Sequence, residues 1–522
     1  MVTGSRVVCD GFKGTVRYYG EIPGQKGMWL GVDWDDENRG KHDGTVNGVQ
    51  YFCARSQRSG SFLRTTKVSF GCSLLAAVRK RYQDDSHWDE SILRGHVVGK
   101  TEIEFVGMDR VGTRQSRLNT LKEIVLNDMD VSHVGASTSE LSTVLCACKE
   151  LDLNNNLMWD WSEIFLLVTA MPRLRFLNIS KNKLRSLSDH DDLSPEASAK
   201  IRSLMLNETG LSNDDVFQVA RLFPGVKELG CCRNAISCLL LPSSGGVFDK
   251  LRYLDFEGNL QLDWQGLKSA WHLPNLQTLN MTKTGVNSIF FDPSDMAPLP
   301  ALRTLYLSHN EIDDWQSVNE LNRLHQLTEL SLLGNPVVEN GDRPTNRQVV
   351  IAKIGRLKSL NREVILSGER RGAEIDYLKR FGPDWLKAEK LTDPEEKQRA
   401  LTAFYQEHPR YAKLIEKYGA PDEEELAADQ RPTGILKNHL LHVTVVGEGI
   451  SKEAAKTIPN SMTVQKLKAL IGRLCRKNPR QLRLAYECRK KPGVFYPLDN
   501  DVRELLFYAM EDGDTIHVSS KQ

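Results

Sequence analysis

The stretch Leu302-Arg303-Thr304-Leu305-Tyr306-Leu307-Ser308-His309-Asn310-Glu311-Ile312 decides the fold. Leucines stand at the first, fourth and sixth places, an asparagine at the ninth and an apolar residue at the eleventh. The pattern recurs at Leu174, Leu177, Ile179, Asn182 and Leu184, and at Leu327, Leu330, Leu332, Asn335 and Val337. Weaker copies begin at Leu121, Cys148, Ile201, Val226, Leu251 and Leu276. Each copy predicts a short strand whose alternate residues enter a shared core. Its asparagine satisfies backbone groups where the chain leaves the strand. No copy can bury its apolar face alone, so the copies must stack, and their strands line a broad concave surface suited to a protein partner.

Starts spaced roughly 25–27 residues apart, on this template, resemble leucine-rich repeats. The array is placed at 118–344. Residues 345–418 follow as a cap and helical segment. Val349, Val350, Ile351, Ile354, Leu357 and Leu360 cover the end of the array. Thr392-Asp393-Pro394-Glu395-Glu396 carries a helix start signal, and Gly419 with Pro421 a stop. The Tyr411–Tyr418 face reads as packing on the cap rather than as a partner site. Residues 419–438, with Glu423-Glu424-Glu425, read as a solvated linker. Residues 439–522 carry alternating Leu441, Val443 and Val445, then a helix after Thr463, then further strands, the order of a ubiquitin-like roll. The chain ends Ser-Ser-Lys-Gln rather than Gly-Gly, so this segment is expected to be a docking module and not a conjugated tag.

The first 71 residues are glycine-rich, with strand candidates at Val7-Val8, Thr15–Tyr18, Trp29–Val32, Tyr51-Phe52 and Ser61–Leu63, the pattern of a small β-barrel. Gly40-Lys41-His42-Asp43-Gly44, flanked by Trp29–Trp34 and Gly60–Arg64, resembles the CAP-Gly domain, whose loop reads G-K-N-D-G; His42 stands in place of the asparagine. CAP-Gly domains bind acidic C-terminal tails that end in an aromatic residue, such as the Glu-Glu-Tyr end of α-tubulin. The resemblance implies that the loop glycines let backbone approach the peptide. Lys41, Arg64 and Lys67 would offset its carboxylates, Trp34 and Phe62 would flank the terminal ring, and loop amides would hold the terminal carboxylate. His42 would donate a hydrogen bond and add a pH dependence. Residues 72–117 read as a polar connection with one strand-like stretch near Ile103 to Val106.

Composition narrows the function classes. The 522 residues hold 69 Lys+Arg against 68 Asp+Glu, so no overall field favours nucleic acid or an anionic membrane. The longest apolar run, Ile164 to Met171, is too short to cross a bilayer, and no secretory h-region opens the chain. The ten cysteines form no framework and read as reduced thiols, with Cys148 and Cys231 on core positions of the repeats and no C-x-x-C pair for a metal. Gly95 to Thr101 is one residue short of a phosphate-binding loop. N-x-[ST] matches at Asn178, Asn207 and Asn280 read as chance. No catalytic constellation is visible, so neither an enzyme nor a bound cofactor is expected.

The fold expected is multidomain α+β: a small β-barrel CAP-Gly domain, a leucine-rich-repeat solenoid and a ubiquitin-like β-grasp domain. That order and length resemble the tubulin-specific chaperone E family, also called tubulin-folding cofactor E. The resemblance implies a cytoplasmic, cytoskeleton-associated chaperone that captures α-tubulin by its acidic C-terminal tail and its folded body. It acts with β-tubulin and tubulin cofactors C and D, in a complex that releases the heterodimer on GTP hydrolysis by β-tubulin, and with cofactor B it dissociates existing heterodimers. Two other readings are a microtubule-associated CAP-Gly linker, whose relatives carry coiled coils absent here, and a ubiquitin-pathway adaptor.

Overall fold

The computed structural model describes residues 3–83, 97–98, 101–102, 117–135, 138–190, 193–242, 246–294, 297–421, 426, 440–450, 453–489, 492–508 and 510–520. Most of the expected linker at 419–438, the strand-like stretch near Ile103 and most of the Gly95–Thr101 segment lie outside them. The chain forms two compact units, Met1–Gly285 with Leu299–Leu302, and Val286–Pro298 with Arg303–Gln522. Among the described residues no helix is long and apolar enough to cross a membrane.

The first unit opens with a four-stranded antiparallel sheet of Arg6–Cys9, Phe12–Ile22, Gln25–Trp34 and Gly60–Leu63. Val7, Val16, Leu30, Val32 and Trp34 form its core. Tyr51-Phe52, expected as a strand, is instead an extended loop after a small hairpin of Thr45–Val46 and Val49–Gln50. Residues 72–82, expected within the irregular connection, are the strand Cys72–Ser73 and the helix Leu74–Tyr82. The strand pairs in parallel with Val131–His133, and the helix buries Leu74, Ala77 and Val78. The array thus gains an apolar lid at its open end, which a stack of repeats requires.

Seven repeat strands follow, from Glu123–Val125 to Thr278–Asn280, paired in parallel and in register. The central leucine of each strand points inward: Leu151, Leu177, Leu204, Leu229 and Leu254 are fully buried. The asparagines bridge repeats. Asn182 Nδ2 donates to Ile179 O in its own turn and to Leu153 O one repeat back, both at 2.9 Å, and Asn259 does the same to Phe256 O (2.8 Å) and Cys231 O (3.0 Å). Where threonine replaces asparagine at Thr209, only its own turn is satisfied, through Leu206 O at 2.8 Å. Cys148 and Cys231 sit fully buried at leucine positions, and burial pushes the Cys148 thiol up to about 12. All ten cysteines are free thiols.

In the second unit, Thr304–Tyr306 and Glu329–Ser331 continue the pattern, and Ser359–Leu360 adds a further rung inside the segment expected as cap. The cap helix Arg343–Lys353 packs beneath the long helix Ser367–Glu389, followed by Pro394–Glu407 and Tyr411–Tyr418. Asp393 caps the third of these, with Pro394 at its first position. Tyr411 and Leu414 are buried in this cluster with Tyr377 and Phe404, so the Tyr411–Tyr418 face is packing.

The C-terminal five-stranded sheet runs Ala454–Pro459, Leu440–Gly447, Thr515–Ser520, Leu482–Glu487, Phe495–Pro497, with the first and last chain segments parallel at its centre. Helix Val464–Cys475, capped by Thr463, packs Leu467 and Ile471 onto it. This domain is seated on the long helix. Arg371, 5% exposed, lies 3.9 Å over the Tyr496 ring and donates to the Tyr486 hydroxyl, while Lys379 pairs with Glu511 at 3.3 Å.

Candidate functional site

The glycine loop is held by backbone geometry. Lys41 N–H donates to Gly60 O at 2.7 Å, and Gly60 N–H donates back to His42 O at 2.7 Å. A Cβ on Gly40 would lie 2.5 Å from Gly60 O, and one on Gly44, at φ +103°, would lie 1.9 Å from Phe52 O. Both positions therefore demand glycine. Tyr51 N–H donates to Gly44 O at 3.1 Å and Ala54 N–H to Asp43 O at 2.8 Å. These bonds turn the Tyr51-Phe52 segment out of the sheet and against the loop.

Against this loop the structure collects an aromatic cluster. His42 lies 5.3 Å from Phe62 and 6.0 Å from Phe52, and Phe62 lies 5.4 Å from Tyr51 and 5.9 Å from Tyr18, ring centre to ring centre. The edge-on geometry of most of these pairs is the favoured one for aromatic rings. Arg64 stacks 3.8 Å over Trp29 and donates to Met28 O at 3.2 Å. Lys41, next to His42 in the loop, is exposed to solvent.

Several expectations for individual residues change here. Trp34 cannot flank a bound ring: it is fully buried in the sheet core, its indole N–H donating to Ser61 Oγ at 3.0 Å. Leu30, Val32 and Trp34 share one face of their strand, and Trp29 points the other way. Lys67 is exposed, and its charge reaches Cys9. The amides of Lys41, His42, Gly44 and Thr45 are all engaged within the loop and its anchor, so they are not free to hold a carboxylate. His42 accepts at Nδ1, where Gly44 N–H bonds to it at 3.0 Å; in the neutral ring the proton then sits on Nε2, which keeps a donor. Burial, with Lys41 nearby, holds its imidazole below the ordinary histidine range, against the opposing pull of Asp43. The bond from Thr45 N–H keeps the exposed Asp43 carboxyl below the usual range. Tyr18, Trp29, Tyr51 and Phe52 join the site without having been singled out.

A second feature runs along the repeats. Lys122, Lys149, Arg175, Arg202, Lys227 and Arg252 each precede a repeat strand, and their backbones bond successively, Lys149 N–H to Lys122 O through Arg252 N–H to Lys227 O, at 2.7 Å each. Six cations stack in one row at the strand spacing of about 4.8 Å. Arg175 and Arg202 donate to turn carbonyls, and Glu123, Glu150 and Glu228 flank the row. Among the described residues none of the six cations forms an ion pair.

Residues 3–68 match the CAP-Gly domain, 211–388 a leucine-rich repeat family and 440–522 a ubiquitin-like domain. Tubulin-specific chaperone E of Xenopus laevis is 38% identical over 98% of this chain and 97% of its own length. The chain belongs to the tubulin-specific chaperone E family. Another relative in that family, tubulin-folding cofactor E of Arabidopsis thaliana, is 33% identical over 97% of this chain and 95% of its own. The solution structure of the C-terminal ubiquitin-like domain of mouse tubulin-specific chaperone E aligns at 34% identity, covering 18% of this chain and 94% of that one, with a TM-score of 0.16. As in the three family matches, tubulin-specific chaperone E architecture here joins one β domain, one repeat array and one ubiquitin-like domain in a single chain.

Proposed function

We propose that this chain is a non-enzymatic tubulin-folding chaperone. It binds α-tubulin and promotes assembly and dissociation of the α/β-tubulin heterodimer together with tubulin cofactors B, C and D, in the cytoplasm and at the cytoskeleton. The observation that carries this reading is the near end-to-end likeness to proteins named tubulin-specific chaperone E, joined to a glycine loop that carries an open lysine beside an aromatic cluster.

On this reading Lys41 meets the carboxylates of the α-tubulin tail, and the Tyr18–Tyr51–Phe62 cluster takes its terminal ring. The repeats hold the folded body, with the row from Lys122 to Arg252 facing acidic groups on it. Individually modest contacts then combine, because the tethered second contact forms within the complex at high effective concentration.

The direct test of tail capture is titration of the full chain with a fluorescent peptide ending Glu-Glu-Tyr and with the same peptide lacking the tyrosine. The reading expects the first to bind at least about tenfold more tightly, the burial of one aromatic side chain. Equal affinities would contradict it.

A further inference from the structure

A cleft of about 420 Å³ opens between the helix Trp315–Leu321, the cap helix Arg343–Lys353 and the helices Ser367–Glu389 and Pro394–Glu407, far along the chain from the glycine loop. That volume is in the range of small-ligand sites. Lys353, 4% exposed, lies on its wall. The Lys353 ammonium donates to Asn319 Oδ1 at 2.8 Å and to the Glu407 carbonyl at 3.0 Å, and lies 5.6 Å from the Tyr377 ring. Among the described residues it forms no ion pair; burial pulls its pKa down to about 8, against the opposing pull of the Glu407 carboxylate. A buried cation without an ion-pair partner is costly, so its retention is informative.

His408, also buried, lines the same cleft. Its Nδ1 lies 2.6 Å from the Tyr377 hydroxyl. Burial, with Lys353 beside it, pulls its pKa down to about 4, and burial pushes the Tyr377 phenol up. At neutral pH the imidazole is therefore uncharged; with the Tyr377 hydroxyl donating to Nδ1, the ring's own proton sits on Nε2. Among the described residues that N–H makes no hydrogen bond; the Glu407 carboxylate stands 3.9 Å away and is 81% exposed. Asp384, the other carboxylate at the rim, pairs with Lys387 at 3.1 Å. The interior thus offers donors and a positive charge, while its acidic groups face water. Trp315 and Phe381 supply half-buried aromatic walls, Phe381 lying 4.2 Å from the His408 ring.

We propose that this cleft binds a carboxylate borne on an aromatic or bulky apolar group, with the carboxylate against Lys353 and His408 and the apolar part between Trp315 and Phe381. Two sources share that chemistry: a free aryl carboxylic acid, and the C-terminal residue of a polypeptide.

The test is ligand-observed NMR and calorimetry on the full chain, carried in a Lys41→Ala, Phe62→Ala background so that the glycine-loop groove cannot contribute. The probes are 3-phenylpropionate, 3-phenylpropionamide, N-acetyl-Gly-Gly-Phe with a free carboxylate, and its C-terminal amide. The proposal expects the acids to bind at least about tenfold more tightly than the amides, the effect of losing a charged hydrogen bond. Binding by the tripeptide acid points to a polypeptide terminus, and binding by 3-phenylpropionate alone to a small acid. Phe381→Ala and Trp315→Ala, at half-exposed positions, should each weaken binding severalfold, and they keep the test open if Lys353→Met fails to fold. Acid and amide binding alike, no binding at millimolar probe, or binding unchanged in both aromatic variants would overturn the proposal.

Discussion

His42 Nδ1 accepts the N–H of Gly44 at 3.0 Å, so the glycine loop is closed by a ring nitrogen that must be unprotonated. Protonation of Nδ1 removes the acceptor and turns it into a second donor facing a donor. The folded-state value lies below the ordinary 6.5, so the neutral form is favoured by the fold. The loop's contribution is therefore fully present above pH 6.5 and lost as pH falls through the lowered value. Tail-peptide affinity should be level above pH 6.5 and fall as the pH drops below it, while the peptide carboxylates remain ionised. His42→Asn, which restores the family's loop residue, should flatten that profile. Anisotropy titrations of both proteins across the range check it, and a flat wild-type profile would count against the role given to this bond.

Gly44 gives a sharper structural test. An alanine there meets Phe52 O at 1.9 Å and must hold φ at +103°. The loop has to shift, and Phe52 and Tyr51 with it. Gly44→Ala should reduce tail-peptide affinity at least about tenfold, beyond any small change in melting temperature, since a strained loop residue costs of order 1–3 kcal/mol. Unchanged affinity would show that the loop does not set the groove.

Asn259 stitches two repeats through Cys231 O and Phe256 O. Asn259→Ala leaves both buried carbonyls without that donor, a loss of about 2–4 kcal/mol. Urea unfolding followed by circular dichroism should show the lowered midpoint, whereas Thr209→Ala, which breaks one bond within its own turn, should cost roughly half as much or less.

Arg371 seats the ubiquitin-like domain on the long helix, lying against the adjacent Tyr486 and Tyr496 rings. A desolvated guanidinium over aromatic faces contributes about 2 kcal/mol. Arg371→Ala should raise hydrogen exchange at the faces of residues 482–497 and 367–378 without unfolding the domain core. Exchange equal to wild type would mean that other contacts hold the seat.

The row from Lys122 to Arg252 should show itself in salt dependence. Reversing Lys122, Lys149, Lys227 and Arg252 to glutamate should weaken binding to α-tubulin and flatten its ionic-strength dependence, because exposed charges are screened within about 10 Å at 0.1 M salt. Repeat-surface variants with the same salt slope as wild type would remove this row from the contact.

The repeats were legible in the sequence because each buried leucine recurs at a fixed distance, and the strands stand where Leu174 or Leu302 predicted them. The site was legible only in part. Gly40, Gly44 and Phe62 were visible from the loop motif, but Trp34 was assigned to the surface although its alternation with Leu30 and Val32 places it in the core. Tyr18 and Tyr51 reach the cluster through a strand crossing and a loop pinned by Gly44 O, contacts between segments far apart in sequence. The seat of the ubiquitin-like domain was hidden for the same reason: Arg371 and Tyr486 carry no local pattern that pairs them.

The central claim is that this chain holds α-tubulin apart from β-tubulin. Native mass spectrometry of the full chain mixed with intact α/β-tubulin and cofactor B tests it most directly. The account predicts a complex that contains α-tubulin and lacks β-tubulin; a chain found only on intact heterodimer or polymer would contradict it and favour a microtubule linker instead.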